Sequence, residues 1–252
     1  MPRTNRSGAD DLEALIDSWP DWRLALTSRP QVIGRVPAGR TNRNYRITAP
    51  GRPEDLLLRV NHPAPRKLGI DRERERRILE RTHSAGIGRP FLYWEPEHRF
   101  VVFPWLSGRA WTRADLDKPA QRARLWPMID ALHAIAPEEP RRRYHAYLLD
   151  YWRQLEQAGE IDPALARAWQ AFEPRLKAFD ESPWPACLVH HDMIPDNILE
   201  TPDRLYLIDW EYAAPGHPDI DVWSVDPDAV REPFVAEMMG WINDLWERLI
   251  LA

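Results

Sequence analysis

The segment from Leu188 to Glu211, LVHHDMIPDNILETPDRLYLIDWE, restricts the possible folds more than any other part of the chain. It sets His190, Asp192, Asn197, Asp209 and Glu211 at close spacing between apolar runs. Those runs, Cys187-Leu188-Val189, Ile198-Leu199 and Leu205 to Ile208, have the length of strands and are too short for helices. The residues between them predict a polar loop from His190 to Asn197 and a turn from Thr201 to Asp203. A rigid β scaffold with a polar loop on it is a common way for a fold to present reactive side chains.

The spacing also suggests a chemistry. Phosphoryl transfer needs one carboxylate to orient a hydroxyl and take its proton, and hard oxygen donors to hold Mg2+ on the phosphates. On this reading Asp192 is the base, and Asn197 and Asp209 are metal ligands. Glu211 stands two residues beyond Asp209, so on an extended chain it points to the same side, near the metal. His190 can support the loop by hydrogen bonds, or move protons with a pKa near neutrality. An acidic β-hairpin without chemistry shares the local pattern. Asp209, placed just after the second strand, separates the two readings.

HHDMIPDNIL followed by LYLIDWEYAAPGHPDIDVW resembles the aminoglycoside phosphotransferase and choline kinase superfamily, and within it the choline/thiamine kinase branch. That family carries H-x-D-x(4)-N-I-L, then I-D-[FW]-E-[YF]-A, then G-x-x-x-x-D. The match runs through Gly216 and Asp221, with weaker echoes back to Gly39. The resemblance implies an α+β, bilobal, protein-kinase-like fold. Residues 1–103 would form a β-rich nucleotide lobe, and residues 104–252 a mainly helical lobe with the catalytic loop and substrate site. ATP and Mg2+ are the implied cofactors, and the implied partner is a small-molecule alcohol, thiamine or a choline-like compound. An aminoglycoside or other antibiotic is the alternative acceptor, although Glu138, Glu139 and Glu156 make a sparse acidic surface for one. A nucleotide-binding module with little catalysis is a further alternative, opposed by the intact Asp192, Asn197 and Asp209.

The resemblance also assigns residues upstream. Val32 to Ile47 reads as strand, loop, strand, and Gly39, Thr41 and Asn42 match the G-x-[TS]-N of a phosphate loop, here with one glycine. Leu56 to Val60 reads as a buried strand whose one cation, Arg59, needs a partner. The branch uses an Arg here as the phosphate anchor, with an edge-strand Arg reaching solvent as the plain alternative. Asp71 to Ala85 is a charged helix that reads as a solvated face with i,i+4 pairs. The family's R-x-x-E pattern selects Glu75, after Arg72, to turn inward and hold Arg59. Adenine would sit at the main chain near Phe103, Trp105 and Leu106. Asp221 would brace the catalytic loop. His191, Tyr212 and Trp223 stand near the site in sequence and are the expected acceptor contacts, since aromatic faces suit a cation.

Elsewhere the pattern predicts ordinary packing. Met1 to Ala9 is polar and reads as a frayed end, and Asp10 is positioned to cap a helix running to about Trp19. Ala120 to Ile135, His145 to Ala158, Pro163 to Phe179 and Phe234 to Leu251 carry helical apolar spacing. His133 and His145 read as surface or capping residues. A net charge of −5 argues against nucleic acid as a partner. No run approaches the roughly 20 apolar residues of a membrane span. The single cysteine, Cys187, cannot form an internal disulfide. These features fit the cytoplasm, and a monomer or homodimer.

Overall fold

The computed structural model describes residues 7–37 and 39–251. Residues 1–6 of the polar N-terminal stretch lie outside the described residues. The first helix, α1 (Ser7–Asp17), starts upstream of Asp10, so Asp10 lies within the helix and does not cap it.

Strands β1 (Val32–Val36), β2 (Arg43–Ile47), β3 (Leu56–Val60), β4 (Tyr93–Trp94) and β5 (Phe100–Pro104) form one antiparallel sheet in the order β1-β2-β3-β5-β4. All five residues of β3 are buried because both of its faces are covered. Leu56, Leu58 and Val60 join Ile16, Trp22, Phe100 and Val102 on one face. Leu57 shares the opposite core with Val101 and Phe103, as the two-residue alternation of a strand requires. Helix α2 (Arg72–Ser84) packs on this second face through Ile78 and Leu79. The Asp71 side chain caps it by accepting from the N–H groups of Glu73 and Arg74.

Beyond β5 come β6 (Arg109–Ala110) and the short helices α3 (Arg113–Leu116) and α4 (Pro119–Arg122). Helices α5 (Trp126–His133), α6 (Tyr144–Ala158) and α7 (Pro163–Glu181) follow. The single helix expected over Ala120 to Ile135 is two, because Pro127 stands in the first turn of α5 and cannot continue a preceding helix. Trp152 and Trp169 stack with ring centres 4.8 Å apart and join α6 to α7.

The segment from Leu188 to Glu211 falls within β7 (Cys187–Val189), a loop, β8 (Ile198–Glu200), β9 (Leu205–Leu207) and the residues just after it. β9 pairs with β8, and β8 with β6. Strand β10 (Ala214–Gly216) pairs with β7 and leads to α8 (Asp219–Val225) and α9 (Pro233–Leu251). The result is an N-terminal five-stranded sheet on a helical C-terminal region, the α+β arrangement expected. No helix among the described residues is long and apolar enough to cross a membrane.

Candidate active site

A cleft of about 580 Å³ separates the sheet from the helical region. Val36, Leu57 and Phe103 line it from the sheet; Asp192, Asn197, Asp209 and Glu211 line it from the β7–β10 segment; Ile242 and Trp246 of α9 close one end. The two carboxylates and the amide picked from the sequence therefore meet at one cavity.

The loop after β7 is built by Asp221. Its buried carboxylate accepts the backbone N–H of His190 at 3.1 Å and of His191 at 3.2 Å. His133 donates to the same carboxylate at 3.1 Å. Burial pulls the His133 pKa down, but the bond to Asp221 outweighs it and pushes the pKa up to about 10, so the ring is charged. His133 is thus a brace for the loop and not the surface or capping residue expected. His190 is fully buried. It lies 3.1 Å from the Ile208 carbonyl, and its Nδ1 accepts from the Asp192 N–H at 3.3 Å. Burial lowers its pKa, which keeps it neutral. His190 is absent from the cleft wall and is a support residue, which removes it as a catalytic one.

His191 does line the cleft. It adopts a left-handed backbone, φ 65°, and its ring lies 2.9 Å from the Tyr144 hydroxyl. Burial and the neighbouring Arg142 hold its pKa well below the usual value. Asn197 donates to the Asp192 carboxylate at 2.8 Å and to the Asp192 carbonyl at 2.9 Å. Burial, then repulsion from Glu211, pushes the Asp192 pKa up to about 7, the range suited to a base working near neutral pH.

Arg59 is buried and donates to Glu75 at 2.6 Å. The carboxylate is the one the R-x-x-E pattern selected. Arg72 is buried too, and bridges three elements: it donates to Glu75 at 2.8 Å, to Glu211 at 2.9 Å and to Asn42 at 2.8 Å. Asn42 donates in turn to Glu211 at 2.7 Å. Neither Asn42 nor Glu75 lines the cleft. Both hold residues that do: Glu75 holds Arg59, as expected of it, and Asn42 holds Glu211.

Three atoms of this network are buried without a hydrogen bond, Arg59 Nη2, Arg72 Nε and Asp209 Oδ1. Asp209 has a left-handed backbone, φ 61°, and stands 3.7 Å from Arg59. Burial pushes its pKa up to about 6 despite Arg59, and burial with Asp209 pushes Glu211 up to about 7. Two adjacent buried carboxylates, one with an orphaned oxygen, suit a divalent cation. Among the described residues no three of His, Cys, Asp and Glu form a complete metal cluster. A Mg2+ held here would draw on Asp209 and the Asn197 amide oxygen, with phosphate and water completing its shell.

The phosphotransferase enzyme family matches residues 32–247 of the sequence. The chain belongs to that family. No curated protein matches it, but solved structures do. The choline kinase LicA from Streptococcus pneumoniae is 19% identical, with TM-score 0.67 over 96% of this chain and 90% of that one. A choline/ethanolamine kinase family protein from Mesorhizobium loti is 18% identical, with TM-score 0.65 over 96% and 83%. A thermostable mutant of the aminoglycoside phosphotransferase APH(4)-Ia, in a ternary complex with AMP-PNP and hygromycin B, is 14% identical, with TM-score 0.63 over 93% and 98%. At these identities the likeness establishes the fold. The family is a phosphotransferase family, as the motifs suggest.

The remaining sequence-derived residues divide. Gly39, with φ 104°, Thr41, Trp105 and Leu106 line the cleft of this phosphotransferase. A side chain at Gly39 would crowd the Asn42 carbonyl at 3.1 Å. Tyr212 lines the cleft and accepts at 2.7 Å from the Trp246 indole. Trp223 does not reach it and packs with the α6–α7–α9 core, because α8 carries it to the far side of the loop. Sequence reasoning missed Arg72, Arg89, Arg142 and Tyr147, and the cleft face of α9. Met239, Ile242, Asn243 and Trp246 recur at helical spacing and line the cavity, so that face was readable but was taken for core.

Proposed function

We propose that the protein transfers the γ-phosphoryl group of ATP to the hydroxyl of a small-molecule alcohol. The observation that carries this reading is the meeting of Asp192, Asn197 and Asp209 with Arg59 at one cleft. Residues 1–103 then form the nucleotide lobe and residues 104–252 the substrate lobe, in a cytoplasmic enzyme. The base stacks at the Phe103 to Leu106 strand end, and the loop of Gly39 and Thr41 covers the phosphates. Arg59 offers its unpaired Nη2 to a phosphate oxygen. Asn197 and Asp209 would hold Mg2+, with Glu211 nearby, and the ion would supply positive charge against the charge that develops during transfer. Asp192 orients the acceptor hydroxyl and takes its proton. The protein's contribution is position and electrostatics rather than covalent chemistry.

The acceptor end is walled by Tyr147, Tyr212 and Trp246, aromatic surface that suits a thiamine- or choline-like cation. A second reading, a neutral or anionic alcohol, is favoured by the protein's own cations. Arg40 already stands 4.8 Å over Trp246 and Arg142 4.6 Å over Tyr147. The test is nucleotide consumption against thiamine, amino alcohols, sugars, aminoglycosides and hydroxy acids. Turnover with choline or thiamine and none with hydroxy acids supports the first reading. The reverse supports the second, and turnover with no alcohol refutes both.

A further inference from the structure

Arg89 has no place in the roles assigned so far. Gly88 before it bridges in parallel to Leu207, which fixes Arg89 beside the strand leading to Ile208. Its side chain is 8% exposed and lines the cleft. The guanidinium stacks 3.9 Å from the centre of the Phe103 ring. Among the described residues it makes no hydrogen bond and no ion pair. Burial and the nearby Arg59 lower its pKa to about 9 against Asp209 and Glu75, which raise it from beyond ion-pair range, so it stays charged near neutral pH. A buried cation without a partner is costly unless something completes it, and the open side of Arg89 is the cleft.

The surroundings say what completes it. Phe103 lies cross-strand from Leu57, and Leu57, Leu79, Phe103 and Ile208 all line the cavity. Apolar walls of this kind fit a flat heteroaromatic base better than a phosphate, for which Arg59 already has a free nitrogen. The purine edge with N7 and position 6 presents two acceptors in guanine or hypoxanthine, which match the guanidinium fork. Adenine presents N7 and a 6-amino donor, and Arg has no acceptor to offer it.

We propose that Arg89 reads this purine edge, so that the cleft takes 6-oxo purine triphosphates, GTP and ITP, at least as tightly as ATP. The inference rests on the nucleotide role proposed for the cleft. It is tested by calorimetric Kd values for Mg·ATP, Mg·GTP and Mg·ITP with wild type and with Arg89→Met, which keeps length and removes the donors. Binding needs no acceptor, and a thermal melt checks that the variant folds. Expected is GTP and ITP binding at or above that of ATP, with the GTP-to-ATP preference falling about tenfold in the variant. ITP should follow GTP, since the two share the 6-oxo group and differ at position 2. An ATP preference in wild type, or an equal loss for all three nucleotides in the variant, overturns this inference and leaves the proposed function standing. No binding of any of the three takes down both.

Discussion

Replacing Arg72 with Met removes the cation that ties α2 to the loop before β2 and to the segment after β9. Arg72 and its partners Glu75 and Glu211 have side chains 3%, 0% and 2% exposed. The substitution leaves Glu75 its bond to Arg59, but leaves Glu211 with only the Asn42 amide. Breaking a buried ion pair by removing one partner costs roughly 3–5 kcal/mol. At roughly 2–4 °C per kcal/mol for a chain of this size, Tm should fall by about 6–20 °C. The control is Arg76→Met on the same helix, whose pairs with Glu73 and Glu80 are solvent-facing and worth at most about 1 kcal/mol. Glu211 adds a sign. Its pKa is raised from 4.5 to about 7 by burial and Asp209, so its ionisation destabilises the fold as pH climbs through that interval. Without Arg72 this penalty grows, and the Arg72→Met deficit should be larger at pH 8 than at pH 5. Thermal melts by circular dichroism in metal-free buffer read both effects. A deficit at pH 8 no larger than that of Arg76→Met would refute the claim that this network holds the site together.

Asp192→Asn should lower kcat by about 10²–10⁴-fold, the usual contribution of a positioned base, while Mg·ATP affinity stays near wild type; unchanged turnover would remove the base. Asp209→Ala should abolish the Mg2+ dependence of nucleotide binding measured by calorimetry, and a retained dependence would show that the metal sits elsewhere. His133 has a folded pKa raised from 6.5 to about 10 by its bond to Asp221 against the opposing effect of burial. The stability it contributes is complete below pH 6.5 and is lost as pH rises through 10. The Tm deficit of His133→Ala should shrink over that window, and a deficit independent of pH from 6 to 10 would contradict a charged pair.

The segment from Leu188 to Glu211 was legible because its signal is local. Asp192, Asn197 and Asp209 are placed by short strands and one loop, so spacing along the chain is close to spacing in space. Arg59 was legible for the opposite reason: a cation in an all-buried strand has to find a carboxylate, and Glu75 supplies it. The aromatic end of the cleft was not legible, because it is assembled by packing. Tyr147 from α6, Trp246 from α9 and Tyr212 after β9 meet only when three elements dock, and no periodicity reports which face of an amphipathic helix borders a cavity rather than a core. Trp223 illustrates the converse. It lies close to Asp221 in sequence, but α8 turns it into the α6–α7–α9 core.

Arg72 was hidden in a different way. In DRERERRILERTHSA every charge looks solvated, and most are: Arg76 pairs with Glu73 and Glu80 at the surface as helical spacing predicts. Helical geometry separates the residues that differ. Arg72 and Glu75 share a face with Ile78 and Leu79, one turn apart, and that face meets the sheet. The same stripe therefore carries apolar contacts at its C-terminal end and buried charges at its N-terminal end. The charged end is the one that meets Glu211 and Asn42. Apolar residues of similar volume would often be as stable in such a position, but they could not hold Glu211 and Asn42 in fixed register with Arg59. The charges make the position of α2 depend on Glu211, and through it on any cation that Asp209 would hold. Nucleotide and metal should thus stabilise α2 as well as the loop, and hydrogen exchange should show protection rising along Arg72–Ser84 when Mg·ATP is added. Unchanged exchange there, with protection gained at the β7–β8 loop, would break that link.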